Sequence, residues 1–174
     1  MKAVIQRVRK ATVAVEGEVC GRIGQGLVVL LGIPKGDTMM DLHYLVRKIT
    51  TLRIFSDAQG KMNRSLEEVK GELLLVSQFT LLANTNRGRR PSFEEAAHPQ
   101  DAQALYQSAI TQFRARGITV ETGIFGASMI LNLENEGPVT ILLDSKNQQD
   151  RKMLVKKNQS RTDRTLSYVR EGED

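Results

Sequence analysis

A chain of 174 residues, 40% hydrophobic and 26% charged, is long enough to bury a core of its own and has the composition of one soluble domain. Its single cysteine, Cys20, cannot close an internal disulfide, and a net charge of +5 permits nucleic-acid contact without requiring it. No apolar run approaches the roughly 20 residues that span a bilayer, and Arg7, Arg9 and Lys10 interrupt the start where a signal peptide would be apolar; a cytoplasmic protein without membrane contact is expected.

Taken in chain order, AVIQRV predicts a strand and ATVAVEGEVCGRIG a hairpin with Glu16-Gly17-Glu18 at its tip. The continuous apolar run GLVVLLGI, bounded by Gly26 and Gly32, predicts a central strand. Asp37-Thr38 can cap a helix whose apolar residues Met39, Leu42, Leu45, Val46, Ile49 and Leu52 keep helical spacing. SDAQGKMNRS reads as a loop, and ELLLVSQFT as the next buried strand. A second helix fits residues 100–116, with Leu105, Tyr106, Ala109, Ile110 and Phe113 inward and Gly117 as its stop. ITVET, ASMILNLE and VTILLD supply three more strands, the last two joined by NEGP as a hairpin turn.

This order predicts an α+β domain, a mostly antiparallel sheet or open β-barrel covered by two helices. The domain is expected to span residues 1–145. Residues 146–174 form a polar C-terminal tail, expected to be mobile, that carries +3 of the net charge.

Most familiar chemistries lack their residues. His43 and His98 stand in no metal-ligand spacing, and one cysteine cannot build a structural zinc site. The Gly-x-Ser-x-Gly elbow, the Walker loop and Gly-x-Gly-x-x-Gly do not occur, so neither a metal nor a cofactor is expected. Two segments remain. Ser77, Gln78, Phe79 and Thr80 end an apolar strand beside a basic loop with Arg87, Arg89 and Arg90. They are either the polar end of a strand or an array of backbone N–H groups and hydroxyls able to hold an oxyanion, with the loop placed to receive phosphates. Asn135 to Thr140 contains Gly137-Pro138 immediately before a very apolar strand. It reads either as a plain hairpin turn or as a stiff element that aims carbonyl oxygens outward, and an X-Pro bond there can be cis.

SQFTL at 77–81 and NEGPVT at 135–140, with MKAVIQRV at the start and GIFGASM at 123–129, resemble the D-aminoacyl-tRNA deacylase (D-Tyr-tRNA deacylase) family. The resemblance runs in order and spacing over about residues 1–145. It implies hydrolysis of the ester joining a D-amino acid to the terminal adenosine of tRNA, and of glycine mischarged on tRNA-Ala, as chirality proofreading in translation. It further implies a homodimer in which the cis Gly137-Pro138 turn of one subunit enters the other's active site as a chiral gate. Ser77, Gln78, Phe79 and Thr80 become the catalytic strand end. Arg87, Arg89, Arg90, Phe125 and Met129 become candidate contacts to the 3′ end of aminoacyl-tRNA.

The physics of such a site is coherent. An enzyme that must accept many D side chains gains nothing from a side-chain pocket, whereas rigid carbonyls placed where an L side chain would point exclude the whole L series. For the chemistry, the backbone N–H groups of Phe79 and Thr80 are expected to hold the oxyanion while the substrate's own vicinal ribose hydroxyl orients water. The alternatives are a non-catalytic module that binds RNA ends, and an esterase with a Thr or Ser nucleophile acting on another substrate.

Overall fold

The computed structural model describes residues 1–86 and 88–146, so Arg87 and the expected tail, apart from Lys146, lie outside the described residues. Met1–Asp144 form one compact unit, and a second begins at Ser145.

Strand β1, Lys2–Val15, is a single strand of 14 residues where the pattern had suggested a strand followed by a hairpin arm. The apparent break was the pair of charges Arg9 and Lys10, both exposed, which β1 carries through without interruption; Arg7 just before them is buried. The chain turns at Glu16 and Gly17, both with positive φ, and returns as β2, Glu18–Ile23. Strand β3, Gly26–Gly32, then pairs with the first half of β1 while β2 pairs with the second half, both antiparallel.

From β3 the sheet continues in parallel. The crossover contains α1 (Met39–Thr51), a small hairpin of β4 (Phe55–Ser56) and β5 (Met62–Arg64), and α2 (Leu66–Val69). The first helix begins at Thr38, whose hydroxyl accepts from Met40 N–H while the Asp41 carboxylate accepts from Thr38 N–H. Leu42, Leu45, Val46 and Ile49 are its buried face, as their spacing predicts. The stretch expected to be a loop thus holds β4 and β5, which are too short to leave a period-2 signal.

Strand β6, Glu72–Ser77, lies parallel to β3, and α3 (Pro99–Ala115) carries the chain over to β7 (Val120–Thr122), parallel to β6. The sheet is therefore mixed, with two parallel pairings beyond the antiparallel ones. Gly21 of β2 lets the sheet curl, because a Cβ there would stand 2.7 Å from the Thr122 carbonyl oxygen of β7. The outcome is an open barrel with helices packed on it, and Val8, Val13, Ile23, Val28, Leu74 and Val76 fill one interior cluster.

The last strand corrects the expected hairpin. Strand β8, Ile130–Asp144, is one element that follows β1 along its other edge. Thr140 pairs with Gln6 and Asn135 with Val8, so Glu136 to Val139 all stand opposite Arg7 alone. NEGP is a bulge within a strand rather than a turn between two.

Candidate active site

Strand β6 was expected to run through Thr80 but stops at Ser77, and Phe79–Leu82 form a 3₁₀ turn. Its parallel neighbour β3 is itself ending: Gln78 N–H donates to the Leu31 carbonyl at 2.8 Å, and beyond that pairing the chain bends away. Within the turn Leu81 N–H donates to Gln78 and Ala83 N–H to Thr80. The turn's first two amides, on Phe79 and Thr80, have no hydrogen-bond partner among the described residues. The Thr80 hydroxyl accepts from the Gln78 side-chain amide.

Ser77, Gln78 and Phe79 line a cavity of about 420 Å³. Leu31 and Ile33 extend one wall, and Phe93, His98, Phe125 and Gly126 supply others. Phe79 is 58% exposed and meets Phe93 edge-on, with ring centroids 5.0 Å apart. Phe125 tilts against Tyr106 at 5.8 Å, and the Tyr106 hydroxyl donates to the Leu75 carbonyl at 2.7 Å, tying α3 to β6 just before the site. Burial, with a lesser contribution from Cys20, pushes the Tyr106 phenol far above its ordinary range, so it stays a neutral donor.

The structure thus brings Ser77, Gln78, Phe79 and Phe125 to one cavity, with Thr80 in the adjoining turn. Met129 instead packs against the interior cluster of Val8 and Val13. Arg89 and Arg90 are exposed and are not among the cavity's lining residues. The pattern missed His98 and Lys35, which both border the cavity. His98 reads locally as the residue before a proline, and it is the N-cap of α3. Only the tertiary pairing of Lys35 N–H with the Glu95 carbonyl and of Ala97 N–H with the Ile33 carbonyl brings that helix start beside the end of β3.

The second segment is built differently. The Gly137-Pro138 bond is cis, and Gly137 has φ of +116°. The Asn135 side chain bridges the bulge, its carbonyl oxygen accepting from Val139 N–H and its amide donating to the Thr140 hydroxyl, each at 2.9 Å. Glu136, the variable place of the motif, is held by two arginines of β1: Arg7 at 3.2 Å and Arg9 at 3.3 Å. Gly137 and Pro138 are not among the residues lining the 420 Å³ cavity of their own chain. Among the described residues no group of three or more His, Cys, Asp or Glu is placed to hold a metal, and no helix is long and apolar enough to cross a membrane.

Comparison with known proteins adds an independent line. The family model described as D-Tyr-tRNA(Tyr) deacylase matches residues 4–144. A D-aminoacyl-tRNA deacylase of Syntrophomonas wolfei is 57% identical over 145 residues, covering 83% of this chain and 97% of that protein. The Aquifex aeolicus D-aminoacyl-tRNA deacylase is 55% identical over 146 residues, covering 84% of this chain and 99% of its own length. Among solved structures, one described as a c-Myc DNA unwinding element binding protein superposes with a TM-score of 0.78 at 42% identity, covering 83% of this chain and 98% of its own. A probable eukaryotic D-amino acid tRNA deacylase, 22% identical with a TM-score of 0.70 and coverage of 82% and 98%, shares the fold.

Proposed function

The chain belongs to the D-Tyr-tRNA(Tyr) deacylase family, and from that membership we propose how its own residues carry out the reaction. The protein is a D-aminoacyl-tRNA deacylase, a hydrolase that cleaves the ester between a D-amino acid and tRNA and so proofreads chirality in translation. The observation that carries the site assignment is the pair of amides on Phe79 and Thr80, unpartnered among the described residues, beside a cavity walled by aromatic side chains.

In this reading the terminal adenosine enters the cavity between Phe79, Phe93 and Phe125, and the ester carbonyl oxygen points at the two amides. Water adds to the carbonyl carbon, the amides stabilise the oxyanion, and collapse expels the ribose oxygen, which takes up a proton. The ribose hydroxyl next to the ester orients the water. The Thr80 hydroxyl, already engaged by Gln78, is not the nucleophile.

Gly137 and Pro138 act as the chiral gate on the active site of a second copy. What supports this is their absence from their own chain's cavity, together with the outer edge of β8, which is unpaired among the described residues and where Ile130 and Leu142 are 65% and 76% exposed. A two-fold homodimer joined through this face would deliver each bulge to its partner. Such a gate spares L-aminoacyl esters and admits glycine, so glycine mischarged on tRNA-Ala is a further substrate, and the enzyme works in the cytoplasm. Its working unit is residues 1–145.

Ester loss from D-Tyr-tRNA and L-Tyr-tRNA, measured side by side, tests the function. Loss of the D ester alone is expected. Equal loss of both would indicate a general esterase, and binding without loss of either would indicate a module for nucleic-acid ends.

A further inference from the structure

A second cavity, of about 520 Å³, adjoins the first and shares Lys35, Ala97 and His98 with it. Each lies in the range of about 300–1,000 Å³ that encloses a small-molecule-sized group. The reaction as described uses only the first. Its substrate does not end there, however, because the terminal adenosine is joined through one phosphodiester to the nucleotide before it. Every mature tRNA ends in cytidine-cytidine-adenosine, so that neighbour is a cytidine.

We propose that the second cavity is the subsite for this penultimate cytidine, an inference that rests on the deacylase reading of the first cavity. The wall common to both is where the linking phosphate must pass, and it carries the exposed cations or donors Lys35 and His98. Lys35 is held in place through its backbone, N–H to the Glu95 carbonyl at 2.9 Å, and its ammonium has no ion-pair partner among the described residues. Beyond the shared wall, Ala104 and Leu105 of α3 offer an apolar surface to a base. Asp101, on the same side, is an exposed carboxylate that only accepts hydrogen bonds. Cytosine offers an N4 amine donor to such an acceptor, whereas uracil offers a carbonyl in that place. The order of chemistry along the groove therefore matches the order of the substrate: adenosine against aromatic rings, phosphate against Lys35 and His98, cytosine against Asp101.

The test uses non-hydrolysable amide analogues of the D-tyrosyl ester, carried on adenosine, on cytidylyl-adenosine (CpA) and on uridylyl-adenosine (UpA). Affinities for the full-length protein are measured by calorimetry across a salt series. The CpA analogue is expected to bind about tenfold more tightly than the adenosine analogue, and the UpA analogue to lose most of that gain. Asp101→Ala should bring CpA and UpA to equality. Lys35→Ala should flatten the salt dependence of CpA binding, because the screened attraction between its ammonium and the single linking phosphate is lost. Equal binding of the adenosine and CpA analogues overturns the subsite while leaving the first cavity's role intact. So does a loss in either variant that is the same for all three analogues, since that would report structure rather than contact. If none of the three binds the unaltered protein, both the subsite and the deacylase site assignment fall.

Discussion

Arg7 on β1 and Glu136 on β8 meet across the bulge, guanidinium Nε and carboxylate Oε2 3.2 Å apart, with Arg7 almost wholly buried. The approach is an ion pair and not an aligned hydrogen bond, for Arg7 Nε has no hydrogen-bond partner among the described residues while another of its nitrogens donates to the Ile54 carbonyl. Glu136→Gln removes the neutralising charge and leaves a buried guanidinium. A loss of about 1–3 kcal/mol in unfolding free energy is expected. Arg9 also reaches Glu136 but is largely in solvent, so Arg9→Ala should change stability by less than about 0.5 kcal/mol. Urea titrations of the two variants check the contrast, and equal effects would show that burial does not set the strength of this cluster.

Thr80→Ala separates a side-chain mechanism from a backbone one. The substitution keeps the N–H and removes a hydroxyl that otherwise accepts from Gln78. Removing one true oxyanion donor costs on the order of 10²–10³ in rate, so a loss of no more than about tenfold in kcat is expected here. Turnover of D-Tyr-tRNA that vanishes in a folded, tRNA-binding Thr80→Ala protein would make the hydroxyl the catalyst.

The outer edge of β8 gives a prediction about assembly. Leu142 is three-quarters exposed in a strand that, among the described residues, pairs only with β1. In a homodimer sealed through that face, Leu142→Glu places a charge in an apolar contact and should shift the sedimentation of the protein from dimer to monomer. Deacylation should fall with it. A monomer that retains full activity would end the cross-subunit gate.

These three tests draw on different depths of legibility. The helix over Met39–Thr51 was readable because its apolar spacing and its Thr38 cap agree. The Gly137-Pro138 segment was readable as unusual, yet its form was not: period-2 runs on either side of NEGP look like two strands whether the chain reverses or merely bulges. Arg9 and Lys10 misled for a related reason, since two exposed charges inside a strand mimic its end unless their partners Glu136 and Glu134 are known to lie on the neighbouring strand. At the candidate active site, Ser77, Gln78 and Thr80 around Phe79 stood out as a polar break after an apolar run. Lys35 and His98 did not, because only the crossing of chain segments at Ile33–Ala97 brings them there.

Salt provides a fourth expectation. Arg89 and Arg90 are exposed and stand apart from the cavity, so any role they have is with phosphates farther along the tRNA. Replacing both by alanine should raise KM for D-aminoacyl-tRNA, more at low salt than at high, with kcat unaffected. The same rise for every amino acid is expected, because such contacts do not see the ester. A KM that is unchanged in the double variant across a salt series would leave the pair as solvated surface charge.

The most discriminating prediction concerns Gly137. Its φ of +116° is a conformation that L residues rarely adopt, and a Cβ there would stand 2.9 Å from Val139 Cγ2 and 3.1 Å from an Arg7 nitrogen. Neither neighbour yields freely, since Arg7 is buried against Glu136 and Val139 is held through its N–H by Asn135. Gly137→Ala should therefore displace the bulge, at a stability cost of about 1–3 kcal/mol. If the bulge is the gate, displacement removes the carbonyls that an L side chain meets, while the amides of Phe79 and Thr80 stay where β6 and the 3₁₀ turn hold them. Cleavage of D-Tyr-tRNA should then persist at a reduced rate, and L-Tyr-tRNA, which a working gate would spare, should begin to be cleaved. A rigid clash excludes every L side chain at once, whereas each methylene in an apolar pocket contributes only about 1–3 kcal/mol. The gain of L cleavage should accordingly extend to large and small side chains alike. A Gly137→Ala protein that folds, cleaves D-Tyr-tRNA and still rejects L-Tyr-tRNA as strictly as the parent would place chiral selection elsewhere in the molecule.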